Sequence, residues 1–394
     1  MNLLSIQSLT ALKIEEIAQS IAFHEDQIKG ISYSNGKLGL ALFYLYYGQY
    51  KADSTYADKA EQLLIEAFQT AISEPNEERF FHKNLAELGT FVEFTKENQW
   101  FDFDDSNILN QIDEVIAAHL KSSIKAEDFD TFSGAMVGGQ YFLNRYQSKP
   151  SVIQQIIVFL NGLETKANDV ENGSFWYTKF LNPSGEVYLG ISHGISAIII
   201  CLSKIHELNI ETETCKKLIK KATNFLLSQQ KKYEDELHFF DNVVGVLSKP
   251  SQIRLCYGDL GVGYALLKAA NILKDKNLLN TAHNILRVSA DKTTIEEIQD
   301  AGILYGTAGV ALFYDKVFRI SKQTFYYTTS DLWYKKTLQL GKIPNNFAGY
   351  EPQYNRKKVE TYTSFFEGIA GIGCSFIQKM DKTLPPLDKL VWLN

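Results

Sequence analysis

The feature that most constrains the fold is a turn of small residues that recurs seven times along the 394-residue chain. An apolar run follows nearly every turn, as in segments 40–45, 198–200 and 310–314. The first small residues of the turns lie 48 to 64 residues apart, at positions 36, 86, 134, 194, 258, 306 and 368. Recurrence at such a period is typical of a repeat architecture.

Each repeat has room for two helices of about 15–20 residues and their connections. The run after a turn is apolar nearly all round, which indicates a buried helix. The segments before the turns differ, because residues 56–72 and 213–227 carry apolar side chains at three- and four-residue steps with polar ones between. That spacing predicts an amphipathic helix. We therefore predict an all-α fold in which each repeat supplies one inner and one outer helix.

Seven such helix pairs use the whole chain, so we expect residues 1–394 to form a single domain. An open solenoid needs polar capping repeats, and neither end of the chain resembles one. We therefore expect a closed seven-fold α/α toroid, with an open helical solenoid as the alternative. In a toroid the free N–H groups of the inner helices would face one cavity, where their positive partial charge would suit an anion or a thiolate.

Composition narrows the choice of partners and compartment. The net charge of −6 argues against a nucleic-acid partner. No run of 18 apolar residues predicts a membrane span, and residues 1–5 do not resemble a signal peptide. The four cysteines lack paired spacing, which favours reduced thiols and a cytoplasmic protein.

Reactive side chains stand at three of the turns. His193 immediately precedes the glycine of the fourth turn, Cys256 and Tyr257 lie just before that of the fifth, and Asp130 lies four residues ahead of that of the third. If the turns share a rim these groups converge, and a histidine beside a carboxylate is a common general acid/base pair. Simpler interpretations remain open: His193 and Cys256 as buried packing residues, and Asp130 as an N-cap.

At these turns the chain resembles the lanthionine synthetase C-like proteins, the family of lanthipeptide cyclases. The resemblance extends over essentially the whole chain and is most specific in segments 190–194, 256–261, 300–309 and 368–373. It implies a seven-fold α/α toroid that adds a peptide cysteine thiol across dehydroalanine or dehydrobutyrine, which forms a thioether ring. The implied partners are a precursor peptide and the dehydratase that prepares it.

The resemblance also implies roles for individual residues. His193 matches the acid/base histidine, assisted by Asp130 and Tyr257, and Cys256 matches the first of three zinc ligands. We place Arg254 and Tyr305 with Cys256 at the site for the substrate thiol.

The sequence departs from the family at the sixth turn, where Cys-His usually supplies the other two zinc ligands. Leu304 and Tyr305 stand there instead. Leucine cannot ligate a metal, and a neutral phenol is a poor zinc ligand. Cys374 is a conceivable substitute, although a cysteine there is more often a small buried apolar side chain. We therefore expect no stoichiometric zinc and no other cofactor.

Three functions follow, and whether the chain is an enzyme is left open. The first is a peptide thioether cyclase that is zinc-independent or weakly active. The second is a non-catalytic peptide-binding subunit of a peptide-modification complex. The third is an unrelated α/α-toroid enzyme, such as a terpene cyclase or a glycan-active enzyme. The third would need clustered acidic residues, and the turns offer only Asp130, Asp259 and Glu367.

Overall fold

The computed structural model describes residues 5–73, 79–101, 106–231, 240–246, 253–291, 298–354 and 356–393. This part of the chain contains fifteen α-helices and one hairpin of two short strands, so the predicted all-α class is confirmed. No helix of the described residues is long and apolar enough to span a membrane. The chain forms two compact units, the first from segments 1–77, 94–103 and 294–390, the second from 78–93, 104–293 and 391–394. The single-domain interpretation stays a prediction.

The first unit is built from helices of both halves of the sequence. Its helices are α1 (Ile6–His24), α2 (Lys37–Lys51), α3 (Thr55–Ser73), α12 (Thr307–Ser321), α13 (Thr324–Leu340), α14 (Val359–Thr363) and α15 (Ile369–Met380). Consecutive helices form antiparallel hairpins here, in which α2 packs on α3 and α12 packs on α13. Helix α15 packs against both α1 and α2, which joins the two halves.

The second unit holds most of α4 (Phe81–Glu97) and the middle of the sequence. Its other elements are α5 (Ser106–Lys125), α6 (Ala135–Arg145), α7 (Ile153–Thr165), β1 (Asn168–Val170), β2 (Gly173–Phe175), α8 (Ile195–Glu207), α9 (Thr212–Ser228), α10 (Asp259–Leu273) and α11 (Lys276–Asp291). Helix α8 packs against both α6 and α10, so the helices that follow the third, fourth and fifth turns are neighbours.

Burial separates the two kinds of helix that the sequence predicts. Ten of the thirteen residues of α8 are buried, and they lie on all sides of the helix. In α9 the buried residues fall at three- and four-residue steps from Cys215 to Leu226. The amphipathic helices therefore cover the apolar ones, as the spacing of apolar residues requires.

Six of the seven predicted turns immediately precede a helix. The residues before α2, α6, α8, α10, α12 and α15 are Gly36, Gly134, Gly194, Gly258, Gly306 and Gly368. The second turn is a wrong prediction, since Ala86 and Gly89 lie inside α4. A side chain at Gly89 would come within 2.6 Å of the Tyr141 ring. This glycine therefore serves close packing rather than a turn.

The expectation of free N–H groups at the helix starts is also wrong for four of these helices. In each, the first N–H of the helix donates to the carbonyl seven residues earlier. The pairs are Lys37 to Gly30, Ala135 to Asp128, Ile195 to Tyr188 and Thr307 to Asp300, at 2.7 to 3.0 Å. The turn itself therefore satisfies part of each helix start, and these groups do not bind an external anion.

Gly194 is where a side chain would disturb this arrangement most directly. A Cβ at Gly194 would lie 2.1 Å from the carbonyl oxygen of Tyr188, which already accepts the N–H of Ile195. We expect Gly194→Ala to lower the free energy of unfolding by about 1–3 kcal/mol in urea denaturation, because backbone must move. Gly30→Ala is the control, since its nearest neighbours would be at 3.7 Å. Equal losses in both variants would contradict the argument.

The connection between α7 and α8 is a long non-helical part of the second unit. It begins with the antiparallel pairing of β1 and β2, and the indole of Trp176 then donates to the carbonyl of Leu163 at 2.8 Å. Thr178 and Glu186 next exchange both backbone hydrogen bonds at 2.9 Å. With this pairing the chain passes the third turn, reverses direction and reaches the fourth turn.

Candidate functional site

The third turn is organised by the carboxylate of Asp130, which is fully buried. Its Oδ1 accepts hydrogen bonds from the backbone N–H groups of Phe132 and Ser133 at 2.8 and 2.9 Å, and from the Ser133 hydroxyl at 3.1 Å. Three donors on one oxygen fix the side chain within the turn. The N-cap interpretation of Asp130 is wrong, because Gly134 is the N-cap residue of α6 and both backbone donors to Asp130 precede it. Oδ2 is left for another partner.

That partner is His193. The Nδ1 atom of the imidazole lies 2.5 Å from Asp130 Oδ2, and only 4% of the histidine side chain is exposed. Because an ionised carboxylate only accepts hydrogen bonds, Nδ1 carries the proton of a neutral ring. Asp130 is the one hydrogen-bond partner of the ring among the described residues, which leaves Nε2 as the nitrogen able to exchange a proton.

The backbone around His193 is fixed as well. The hydroxyl of Thr178 donates to the carbonyl oxygen of His193 at 2.5 Å. The hydroxyl of Thr131 contacts the carbonyl of Ile191 at 3.4 Å, which places the third turn against the fourth. The N–H of Ser192 donates to the carbonyl of Cys256 at 3.3 Å, which places the fifth turn on the fourth from the other side.

Four aromatic rings surround the imidazole of His193. The ring of Phe180 lies over it at a centroid distance of 4.4 Å, and Phe132 and Tyr188 are each at 5.2 Å. The ring of Tyr257 is roughly parallel to the imidazole at 6.0 Å. The structure therefore brings together Asp130, His193 and Tyr257, as the sequence predicted. Their catalytic roles stay proposals.

Cys256 lies in the fifth turn, directly before Tyr257, and is only 1% exposed. Burial raises the pKa of this thiol to about 12, although the cation of Arg254 opposes the shift. Arg254 is itself buried, with 6% of the residue exposed. Without a metal ion, Cys256 is therefore a neutral thiol at physiological pH.

Burial also determines the reactivity of the other cysteines, because all four are unpaired and buried. Burial raises the thiol pKa of Cys201, Cys215 and Cys256 to about 12, and it raises that of Cys374 well above its ordinary value. Since the thiolate is the reactive form, we expect negligible labelling of the folded protein by a disulfide reagent at pH 8. All four thiols should react in urea. One thiol that reacts within seconds in the folded protein would contradict the prediction.

Tyr305 and Leu304 belong to the first unit. The ring of Tyr305 packs edge-on against Tyr354 at 4.8 Å, and Leu304 is buried. Leu304 has no donor atom for a metal, and no group of three His, Cys, Asp or Glu side chains in the described ranges is arranged to hold one. The conceivable substitute, Cys374, is a fully buried residue of α15. The donor set therefore does not fit the zinc ion that the resemblance implies.

Comparison with known proteins assigns the family. The profile of the lanthionine synthetase C-like proteins matches residues 27–391, so the chain belongs to this family. Among solved structures, a chain titled nisin cyclase superposes with a TM-score of 0.77 at 15% sequence identity, and the match covers 98% of each chain. At that identity the likeness shows the fold. No curated protein matches the sequence significantly.

Thr178 and Phe180 are site residues that the repeat pattern of the sequence does not predict. Both lie in the non-helical connection after α7, which the helix-pair repeat does not predict. The interval of 60 residues between the third and fourth turns was the available signal, because it is longer than a helix pair needs.

Proposed function

We propose that the chain is a peptide thioether cyclase in which the pair of His193 and Asp130 moves the proton and no zinc ion takes part. The observation that carries the proposal is the hydrogen bond between His193 Nδ1 and Asp130 Oδ2 at 2.5 Å, on a carboxylate whose other oxygen is already fixed. Membership of the lanthionine synthetase C-like family supplies the substrate class. The same resemblance suggests a dehydratase partner, and the four cysteines without paired spacing favour a cytoplasmic location.

The reaction is an addition in which no electrons are exchanged with a redox partner. Nε2 of His193 takes the proton of the substrate cysteine thiol, and the resulting thiolate attacks the β-carbon of dehydroalanine or dehydrobutyrine. The carbon–carbon double bond becomes a single bond, and negative charge develops at the α-carbon and its carbonyl. The imidazolium then returns the proton to the α-carbon. One S–H bond and one carbon–carbon π bond are thus replaced by one C–S and one C–H bond.

Asp130 contributes by fixing the imidazole and by favouring the imidazolium that forms during the reaction. A carboxylate on Nδ1 keeps the proton there, so that Nε2 is the basic nitrogen. The aromatic rings on His193 exclude water from most of its surface. Reduced solvation strengthens the attraction between the imidazolium and the carboxylate.

Activation by a histidine is needed because a free thiol is weakly ionised. At an ordinary pKa of about 8.5, only about 3% of a thiol is thiolate at pH 7. A zinc ion would overcome this by binding the thiolate, but the donor set here does not fit one. The first N–H groups of α6 and α8 are bonded to their own turns and are not available to bind a substrate thiolate. The proposal therefore assigns thiol activation to His193.

Metal analysis combined with an assay tests the proposal. The substrate is a synthetic peptide with one cysteine and one dehydroalanine, and the product is detected by alkylating the thiol that remains. We expect much less than one zinc per chain and the same rate of ring formation with and without a chelator. About one zinc per chain, with activity that the chelator abolishes, would contradict the proposal.

A second candidate function is a peptide-binding subunit without catalytic activity. It is favoured by the buried, neutral thiol of Cys256 and by the missing metal donors. Its mark would be micromolar affinity for the peptide without product. That affinity should be unaffected by Cys256→Ala.

A further inference from the structure

The segment 391–393 belongs to the second unit, and its first and third residues are buried. Val391 is 1% exposed and Leu393 is fully buried. The carbonyl of Leu393 accepts a hydrogen bond from the hydroxyl of Tyr264 at 2.9 Å. Tyr264 is a fully buried residue of α10, the helix that begins directly after the fifth turn. The segment is therefore fixed beside the elements that form the candidate site.

Between these two buried residues stands Trp392, in a backbone conformation that side chains seldom adopt. Its φ is +59°, in the left-handed region. A non-glycine residue in this region is held there by its surroundings, and such residues cluster at functional sites. Burial of Val391 and Leu393 on either side provides that constraint here.

The left-handed turn directs the indole of Trp392 onto the ring of Phe132. The two rings meet edge to face, with centroids 5.3 Å apart and planes at 87°. The ring centroid of Phe132 lies 5.2 Å from that of His193 and 6.1 Å from that of Phe180. The backbone N–H of Phe132 is one of the donors that fix Asp130. Phe132 is thus the link between the indole and both members of the acid/base pair.

The hydrogen bond that Nδ1 donates to Asp130 fixes the imidazole at one nitrogen, but it leaves the ring free to tilt about that contact. Phe132 and Phe180 limit the tilt, because they lie within contact distance of the imidazole. Trp392 limits the movement of Phe132 away from the histidine. Small displacements of a catalytic group reduce rates strongly, so this support has a measurable effect.

We propose that Trp392 is a positioning residue for His193, acting through Phe132. The proposal rests on the proposed cyclase function for its kinetic consequence, but the ring contact can be tested without catalysis. The chain offers a matched control in Trp100, a partly exposed tryptophan of the first unit that packs edge-on against Tyr46 at 5.4 Å.

The experiment compares Trp392→Ala, Trp392→Phe and the control Trp100→Ala, after thermal unfolding has shown that each variant is folded. In the cyclisation assay with the synthetic peptide, we expect Trp392→Ala to lower kcat by about 10- to 100-fold and to change KM by less than about threefold. Trp392→Phe should restore kcat to within about threefold of the wild type, because a ring still contacts Phe132. Trp100→Ala should leave kcat unchanged.

A spectroscopic readout separates this proposal from the proposed function. The NMR signals of the His193 ring protons, assigned with His193→Asn, should shift or broaden in Trp392→Ala and not in Trp100→Ala. That result would support the positioning role of Trp392 even if the wild type makes no thioether. A wild type without product would count only against the proposed cyclase function. Unchanged His193 signals in a folded Trp392→Ala protein would overturn the positioning role of Trp392. A change in KM without a change in kcat would also overturn it. If Trp392→Ala does not fold, Trp392→Leu takes its place with the same expectations.

Discussion

His193→Asn is expected to lower the rate of thioether formation by about 10²- to 10⁴-fold, the usual contribution of a general acid/base. The asparagine amide can still donate to Asp130 Oδ2, so the turn keeps its geometry. It has no counterpart of Nε2, and so it cannot take the proton of the thiol. The measurement is the initial rate of ring formation in a metal-free buffer.

His206→Asn is the control for that variant, because it removes an imidazole from the last turn of α8, the helix that follows His193. We expect its rate to equal that of the wild type. A His193→Asn protein that is folded and keeps more than about one tenth of the activity would show that another group moves the proton.

Asp130→Asn is expected to reduce the rate by a similar factor of about 10²–10⁴ while the protein stays stable. The amide oxygen can replace Oδ1 as the acceptor for Phe132 and Ser133. The amide nitrogen then faces His193 Nδ1 and donates to it, so the proton of the neutral imidazole moves to Nε2. A ring with a proton on Nε2 cannot accept one from the thiol.

Two further variants separate catalysis from structure at this turn. Asp130→Ala should show the same rate loss and should also lower the free energy of unfolding by about 1–3 kcal/mol, because the N–H groups of the turn lose their acceptor. Asp128→Asn is the matched control, since the Asp128 carboxylate accepts two backbone N–H groups and does not contact His193. Similar activities of Asp130→Asn and Asp128→Asn would contradict the special role of Asp130.

Much of the fold could be predicted because one local pattern recurs. A small residue before an apolar run predicts a helix start, and six starts lie where this pattern places them. The second turn misled the prediction because small residues also serve close packing. Gly89 makes room for the ring of Tyr141, and sequence alone does not distinguish that from a turn.

The site could be predicted in part for the same reason. His193 and Asp130 lie within four residues of the glycines of successive turns, so the repeat itself brings the two segments together. Phe180 and Trp392 come from segments without helical periodicity, and their contacts depend on how those segments pack. The hydrogen bonds at the helix starts were not predicted. Each joins the first N–H of a helix to the backbone carbonyl seven residues earlier, and this contact depends on the geometry of the turn rather than on residue type.

The most direct test compares chelator-treated wild type, His193→Asn, Asp130→Asn and the double variant in the cyclisation assay. If the two residues act as one pair, the double variant should lose no more activity than His193→Asn alone, and the wild type should make the thioether without metal. Losses that multiply in the double variant, or a wild type that forms the ring only after zinc is added, would contradict the account.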